Sequence, residues 1–185
     1  MANALGHPIG RLAAGAAVGF VAGLALPHAR KAVMQAPSLA AGDWVDALEA
    51  EHRLVEGLFR RLLRTTERQT GQREMLLAKI AHALTKHAVE EENVIYPALT
   101  QGGRQDRTHG LIDEHAQIKT FIYDLRRLPP GTTGWLDRAR QFHAAVAEHV
   151  REEEQEIFPA FRDLRTDDEN ARLTRMLNWE GFKVA

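Results

Sequence analysis

The stretch His87-Ala-Val-Glu-Glu-Glu-Asn-Val-Ile-Tyr-Pro97 returns once in the chain, as His149-Val-Arg-Glu-Glu-Glu-Gln-Glu-Ile-Phe-Pro159. In each copy a Glu follows a His by four residues, His87 with Glu91 and His149 with Glu153. Positions i and i+4 share one face of an α-helix, roughly 6 Å apart along its axis, so each pair is able to hold a common metal. The same faces are otherwise apolar: Ile80, Ala83 and Leu84 precede His87, and Phe142, Ala145 and Val146 precede His149. Ionisable groups thus occupy places where a core is expected, and a buried carboxylate is costly unless something positive meets it.

The repetition extends upstream. Leu48, Glu51, His52, Val55, Leu58 and Leu62 correspond to Leu111, Glu114, His115, Ile118, Phe121 and Leu125, at the 63-residue offset that separates His52 from His115. The periodicity predicts helices over about 43–66, opened by Asp43 as N-cap, and over about 72–99, 108–127 and 134–164. Thr70-Gly71, Gln101-Gly102-Gly103 and Pro129-Pro130-Gly131 supply the turns, and Pro97 is expected to end or kink the second helix. Four long helices with short connections make an all-α, up-down-up-down antiparallel four-helix bundle. Folding it brings His52, His87, Glu91, His115, His149 and Glu153 to one central layer as candidate metal ligands. A lone His on a buried stripe is more often a hydrogen-bonded core residue, but recurrence in both halves favours metal. His82, His109 and His143 lie off the stripes and are poor candidates.

With 44% hydrophobic residues in 185, the chain is long enough to bury a core, and its formal net charge of -1 gives no reason to expect nucleic acid. The absence of cysteine excludes disulfides, thiolate zinc, iron–sulfur clusters and thiol nucleophiles. Residues 1–42 read as an apolar anchor segment and linker, 43–165 as the bundle and 166–185 as a short C-terminal helix. That helix is opened by the capping box Thr166-Asp167-Asp168-Glu169, packs through Leu173, Met176, Leu177 and Trp179, and is expected to end before Gly181.

From Leu12 to Leu26 no residue is charged, and Gly15, Gly19 and Gly23 recur every four residues, as in close-packed helices in lipid. Counting Ile9 to Pro27, with Arg11 snorkelling, gives an N-terminal apolar helix that attaches the chain to an inner or plasma membrane. The basic residues after it place the domain on the cytoplasmic side. A cleaved signal peptide and a helix docked on the domain are the rivals.

His52, His87-x-x-x-Glu91 with Pro97, His115 and His149-x-x-x-Glu153 with Pro159 together resemble the hemerythrin-like, or HHE cation-binding, domain family over about residues 43–163. The resemblance implies two iron ions, a di-iron centre with an oxo or hydroxo bridge, the two glutamates bridging and the histidines completing each iron. It implies binding of a small diatomic or peroxide ligand such as O2 or NO, in gas sensing, carriage or iron handling. An oxidoreductase that reduces peroxide, O2 or NO is the alternative. Tyr96 and Tyr123 are candidate electron or proton donors for it, with packing as the simpler role. Oxygen carriers of this family place another His one turn after the third-helix His, where this chain has Lys119. One turn past His115, Lys119 is expected to point toward the metals, and an open position is expected on both irons.

No candidate ligand on a buried stripe precedes His52. A chain beginning at Pro37 should therefore fold and take up as much metal as the full chain, which metal analysis of both forms would check.

Overall fold

The structure, a computed structural model, describes residues 40–185. The expected N-terminal anchor helix lies outside the described residues. Among the described residues every regular element is helical. Helix α1 spans Trp44–Leu63. Helix α2 spans Thr70–Glu90 and continues through a π-helical turn, Glu91–Ile95, into α3, Tyr96–Gln101. Helix α4 spans Gln105–Arg127. Helix α5 spans Thr133–Glu152 and continues through a second π turn, Glu153–Ile157, into α6, Phe158–Asp163. Helix α7 spans Asp167–Val184.

Asp43 caps α1 by accepting from the Val45 and Asp46 N–H groups, while the Asp46 carboxylate accepts from the Asp43 N–H. The expected break at Pro97 takes another form. Proline has no N–H, and its ring clashes with the carbonyl four residues back, so a regular α-turn fails there. The wider π turn resolves the conflict: Tyr96 N–H bonds the Glu91 carbonyl, and Phe158 N–H bonds the Glu153 carbonyl ahead of Pro159. Each helix therefore runs on past its proline, and each π turn begins at the Glu of a His-x-x-x-Glu pair.

Apolar side chains form two clusters, one at each end of the bundle. Helices α1 and α4 begin in the cluster of Trp44, Leu48 and Leu111 and end in that of Leu62, Phe121 and Leu125. Helices α2 and α5 begin in the latter, with Leu76 and Trp135, and their extensions return to the former, with Leu99 and Phe161. Neighbouring helices thus run antiparallel, packed α1 on α2, α2 on α4, α4 on α5 and α5 on α1.

At the end holding both hairpin connections, the buried Arg73 ties them together. Its guanidinium donates to Thr65 Oγ1 at 3.0 Å, to the Pro130 carbonyl and to the Thr132 carbonyl at 3.3 Å, and lies 5.3 Å from the Trp135 ring centroid.

Helix α7 packs along α2, the first π turn and α1. Its start is fixed by the Thr166 and Glu169 capping box, and Trp44 bonds it through Thr174 Oγ1 and Asn170 Oδ1. Two expectations for this helix fail. It does not stop before Gly181, which is buried within it, because no proline or polar cap follows and Lys183 suits the negative end of the helix dipole. Its buried face is Leu173, Leu177 and Gly181, whereas Met176 and the 63% exposed Trp179 face outward. None of the described helices is long and apolar enough to cross a membrane.

Replacing Arg73 by Ala removes several charge-assisted bonds and leaves the buried Thr65 hydroxyl and two partly buried carbonyls without this donor. The cost should be about 2–4 kcal/mol, read as a lower urea midpoint with metal uptake unchanged, since Arg73 belongs to the opposite end of α2 from Glu91.

Candidate metal centre

Between the two apolar clusters the structure brings His52 of α1, His87 of α2, His115 of α4 and His149 of α5 together with Glu91 and Glu153 at the starts of the π turns. The histidines form two pairs, His52 Nε2 2.9 Å from His87 Nε2 and His115 Nε2 3.2 Å from His149 Nε2. Each glutamate spans both pairs. Glu91 Oε2 lies 3.2 Å from His87 Nε2 and 3.3 Å from His115 Nε2, and Glu153 Oε2 lies 3.3 Å from His149 Nε2 and 3.5 Å from His52 Nε2. Both carboxylates are 0% exposed.

A second ring of carboxylates orients the imidazoles. His52 Nδ1 meets Glu154 at 2.8 Å, His87 Nδ1 meets Glu51 at 3.3 Å, His115 Nδ1 meets Glu92 at 2.9 Å and His149 Nδ1 meets Glu114 at 2.7 Å. An ionised carboxylate only accepts, so each Nδ1 carries the proton and a neutral ring presents a lone pair at Nε2. Metal-binding histidines are oriented in this way. Two such lone pairs 2.9 Å apart repel unless a cation or proton lies between them. Two nitrogens bound at right angles to one metal, each at 2.0–2.1 Å, would lie about 3 Å apart.

The donor atoms fall into two sets. His52, His87, Glu91 and Glu153 offer atoms all within 4.8 Å of one another, and so do Glu91, His115 and His149. Glu91 Oε1 and Glu153 Oε2 are buried without a hydrogen-bond donor, which fits a bound cation as their missing partner. Tyr96 also enters the layer, its hydroxyl 2.9 Å from Glu153 Oε1, 3.4 Å from Glu91 Oε2 and 3.2 Å from His115 Nε2. Its counterpart in the second copy, Phe158, instead stacks on His52 at 6.2 Å and 9°.

Without metal, protons balance these charges. Burial pushes the Glu91 carboxyl well up, and the charge of Glu153 adds to it. Burial also works to raise Glu153, but the charge of His149 and the neighbouring His52 bring it down to about 2. Burial disfavours a charged His52, yet the neighbouring carboxylates of Glu153 and Glu154 carry it up to about 10. Burial, followed by the charge of His52, lowers His87 to about 4.

A cavity of about 30 Å³ lies against the four histidines, walled mainly by apolar side chains such as Leu84, Ile118, Ile122 and Val146. It has room for one or two water-sized molecules. Lys119 lines it through its stem, but its ammonium does not point at the donor layer. The side chain is 59% exposed, and Nζ donates to Glu92 Oε1 at 2.9 Å, the carboxylate that holds His115. A flexible stem lets the ammonium leave a site where cations would repel it.

Fold and site together define a cation-binding helical bundle. The hemerythrin HHE cation binding domain matches residues 43–161, and the chain belongs to that family. It is 31% identical over 118 residues to a protein named DNA nickase from a Nostoc species, a match covering 64% of this chain and 33% of that protein. The chain thus spans about a third of the length of that relative. It is 27% identical over 116 residues to uncharacterized proteins of Mycobacterium tuberculosis and Mycobacterium bovis, covering 62% of this chain and 70% of theirs. The crystal structure of a hemerythrin HHE cation binding domain-containing protein from Mycobacterium kansasii superposes with a TM-score of 0.68 at 23% identity, covering 77% of this chain and 87% of that one. That is a likeness of fold.

His82, His109 and His143 stay outside the donor layer, His143 pairing with Glu56 at 2.6 Å. Tyr123 is exposed at the surface. Sequence reasoning missed the outer carboxylates, although the repeat carried a signal for them: Glu51 matches Glu114 and Glu92 matches Glu154.

A metal has to displace the protons now held in the layer, that of His52 among them. Affinity should therefore rise with pH and be lost on acidification, because His52, held up to about 10, is protonated through the neutral range. Calorimetric titration in buffers of different ionisation enthalpy would count the protons released. Affinity independent of pH between 6 and 8 would contradict these charge assignments.

Proposed function

We propose that the protein is a non-haem di-iron protein that binds a small ligand such as O2 or NO, in gas sensing, carriage or iron handling. The observation that carries this is the pairing of two donor sets through Glu91, with Glu153 also within 3.5 Å of a histidine of each pair, and a small apolar cavity against the same four imidazoles. Imidazole and carboxylate donors suit iron, manganese or zinc and disfavour calcium or magnesium. His52 and His87 would hold one iron and His115 and His149 the other, with Glu91 and Glu153 shared. Bound there, the two irons would supply open coordination positions and one-electron redox changes. The protein's own part is to orient each imidazole through its Nδ1 carboxylate, to keep the carboxylates dry and to admit only a molecule that fits the cavity.

The alternative, an oxidoreductase reducing peroxide, O2 or NO, is favoured by Tyr96. Its hydroxyl lies among the donor atoms, where a phenol is able to give a proton or an electron. Burial and the charges of Glu91 and Glu153 push its pKa well up, so the hydroxyl keeps its proton in the metal-free protein. Attachment to a membrane through residues 9–27, with the domain on the cytoplasmic side, belongs to the same proposal and rests on the uncharged run from Leu12 to Leu26. Nicking of DNA is not carried over, since the match leaves two thirds of the Nostoc protein uncovered.

Anaerobic reconstitution should give about two irons per chain, and the double variant Glu91→Ala, Glu153→Ala should lose both. Failure of the unmutated protein to take up iron would refute the proposal. Optical spectra separate the two roles: a spectrum that returns when O2 is removed marks binding, and one that stays oxidised marks turnover. For the oxidoreductase, Tyr96→Phe should keep its iron and slow oxidation by peroxide about tenfold or more, in the range of a lost proton donor.

A further inference from the structure

Beside the donor layer, between α1 and α2, lies a second cluster of buried charge. Lys86 is 3% exposed, and its ammonium donates to Glu51 Oε1 and, at 2.7 Å, to Glu90 Oε1. Glu51 turns its other oxygen, Oε2, to His87 Nδ1 at 3.3 Å. A continuous chain of contacts thus runs Glu90, Lys86, Glu51, His87 and ends at a donor of the proposed metal centre. Helix α7 packs along both α1 and α2, the helices that carry the cluster.

The second half of the repeat has no such chain. Lys86 corresponds to Glu148, which is exposed, and Glu90 corresponds to Glu152, which pairs with the surface residue Arg107 at 2.7 Å. The carboxylate that holds His149, Glu114, is 37% exposed. The exposed Lys119, on the carboxylate of His115, is the nearest equivalent, and water screens it. At Lys86 there is little water to do so, and removing the cation would leave two buried carboxylates side by side.

We propose that Lys86 is a positioning residue for the metal held by His52 and His87. By clamping Oε1 of Glu51 it fixes Oε2 under His87 Nδ1 and so aims His87 Nε2 at the metal. The His52 and His87 half, with one outer carboxylate buried (Glu51) and one partly exposed (Glu154), is thereby the tighter of two unequal positions, and the His115 and His149 half, whose outer carboxylates Glu92 and Glu114 are both partly exposed, is the looser. This rests on the two-metal reading of the centre.

Anaerobic titration of the full-length protein with Co(II), followed by its visible bands, tests both. The unmutated protein should take up two ions. Lys86→Met should lower the affinity for one ion by about tenfold or more, as losses around metal-bound histidines do, and change the other less than about threefold. Lys86→Arg, which keeps the charge, should recover part of the loss. Lys119→Met should change either affinity less than about threefold, because its lysine is solvated. Should Lys86→Met fail to fold by circular dichroism, Lys86→Gln keeps a donor on Glu51 and is expected to show the same selective loss more weakly. A lower melting temperature with both affinities unchanged would overturn the proposal by reducing Lys86 to a structural role. Equal losses in Lys86→Met and Lys119→Met would overturn it too. An unmutated protein that takes up no Co(II) would remove the two-metal reading and the proposal with it.

Discussion

Two carboxylates, Glu91 and Glu153, lie in the middle of the bundle fully removed from water. Everything around them answers the cost of putting them there. Four imidazoles turn Nε2 toward them, and four more glutamates on Nδ1 keep those rings from turning away. The apolar core is consequently split into two clusters, since no aliphatic layer is able to occupy the level at which the donors meet. Polar layers of this kind stabilise only when every member is satisfied. Glu91 Oε1 and Glu153 Oε2 are the members left without a donor, and they are the atoms a cation would serve.

Backbone and side chains are coupled at those same residues. The carbonyls of Glu91 and Glu153 each accept the π-turn hydrogen bond, and each is followed six residues later by a proline that rules out a regular α-turn. The π turn rotates the helix beyond the glutamate relative to a straight continuation, and the side chain just after it, Tyr96 or Phe158, is turned onto the donor layer. Such bulges inside long helices recur at functional sites. Here the bulge sets which aromatic ring closes each half.

Helical period, turn residues and the doubled His-x-x-x-Glu pattern made the bundle and the convergence of six side chains legible, because both follow from which residues share a buried face. Contacts that depend on side-chain reach were not legible in this way. Lys119 sits at the right place on α4 to face the donors, but a four-carbon stem carries its charge to Glu92 and water instead. Met176 and Trp179 fit an apolar stripe of α7 by spacing, yet the covered face is Leu173, Leu177 and Gly181, a choice made by the surface of α2 and not by α7 itself. Pro97 is expected from sequence to end or kink its helix, and what it and Pro159 mark is a π turn through which the helix runs on, since sequence alone shows that an α-turn fails and not what replaces it.

A repeated sequence tends to give a symmetric site, and the main interest of this one is where symmetry is lost. The six donors and the four outer carboxylates pair off across the two halves without exception. The residues next to them do not: Tyr96 has Phe158 as its counterpart, and Lys86 has Glu148. The first difference places a hydroxyl between both central carboxylates on the side of His115. The second places a buried cation behind His87, in the opposite half. The two departures therefore act on different histidine pairs. One half gains an imidazole fixed through a buried ion pair, and the other gains a proton-bearing group. A centre built this way has two inequivalent positions before any ligand arrives, with the small cavity lying against both. Ligand chemistry that needs one firmly held metal and one more adaptable metal is thus already written into the residues flanking an otherwise duplicated motif.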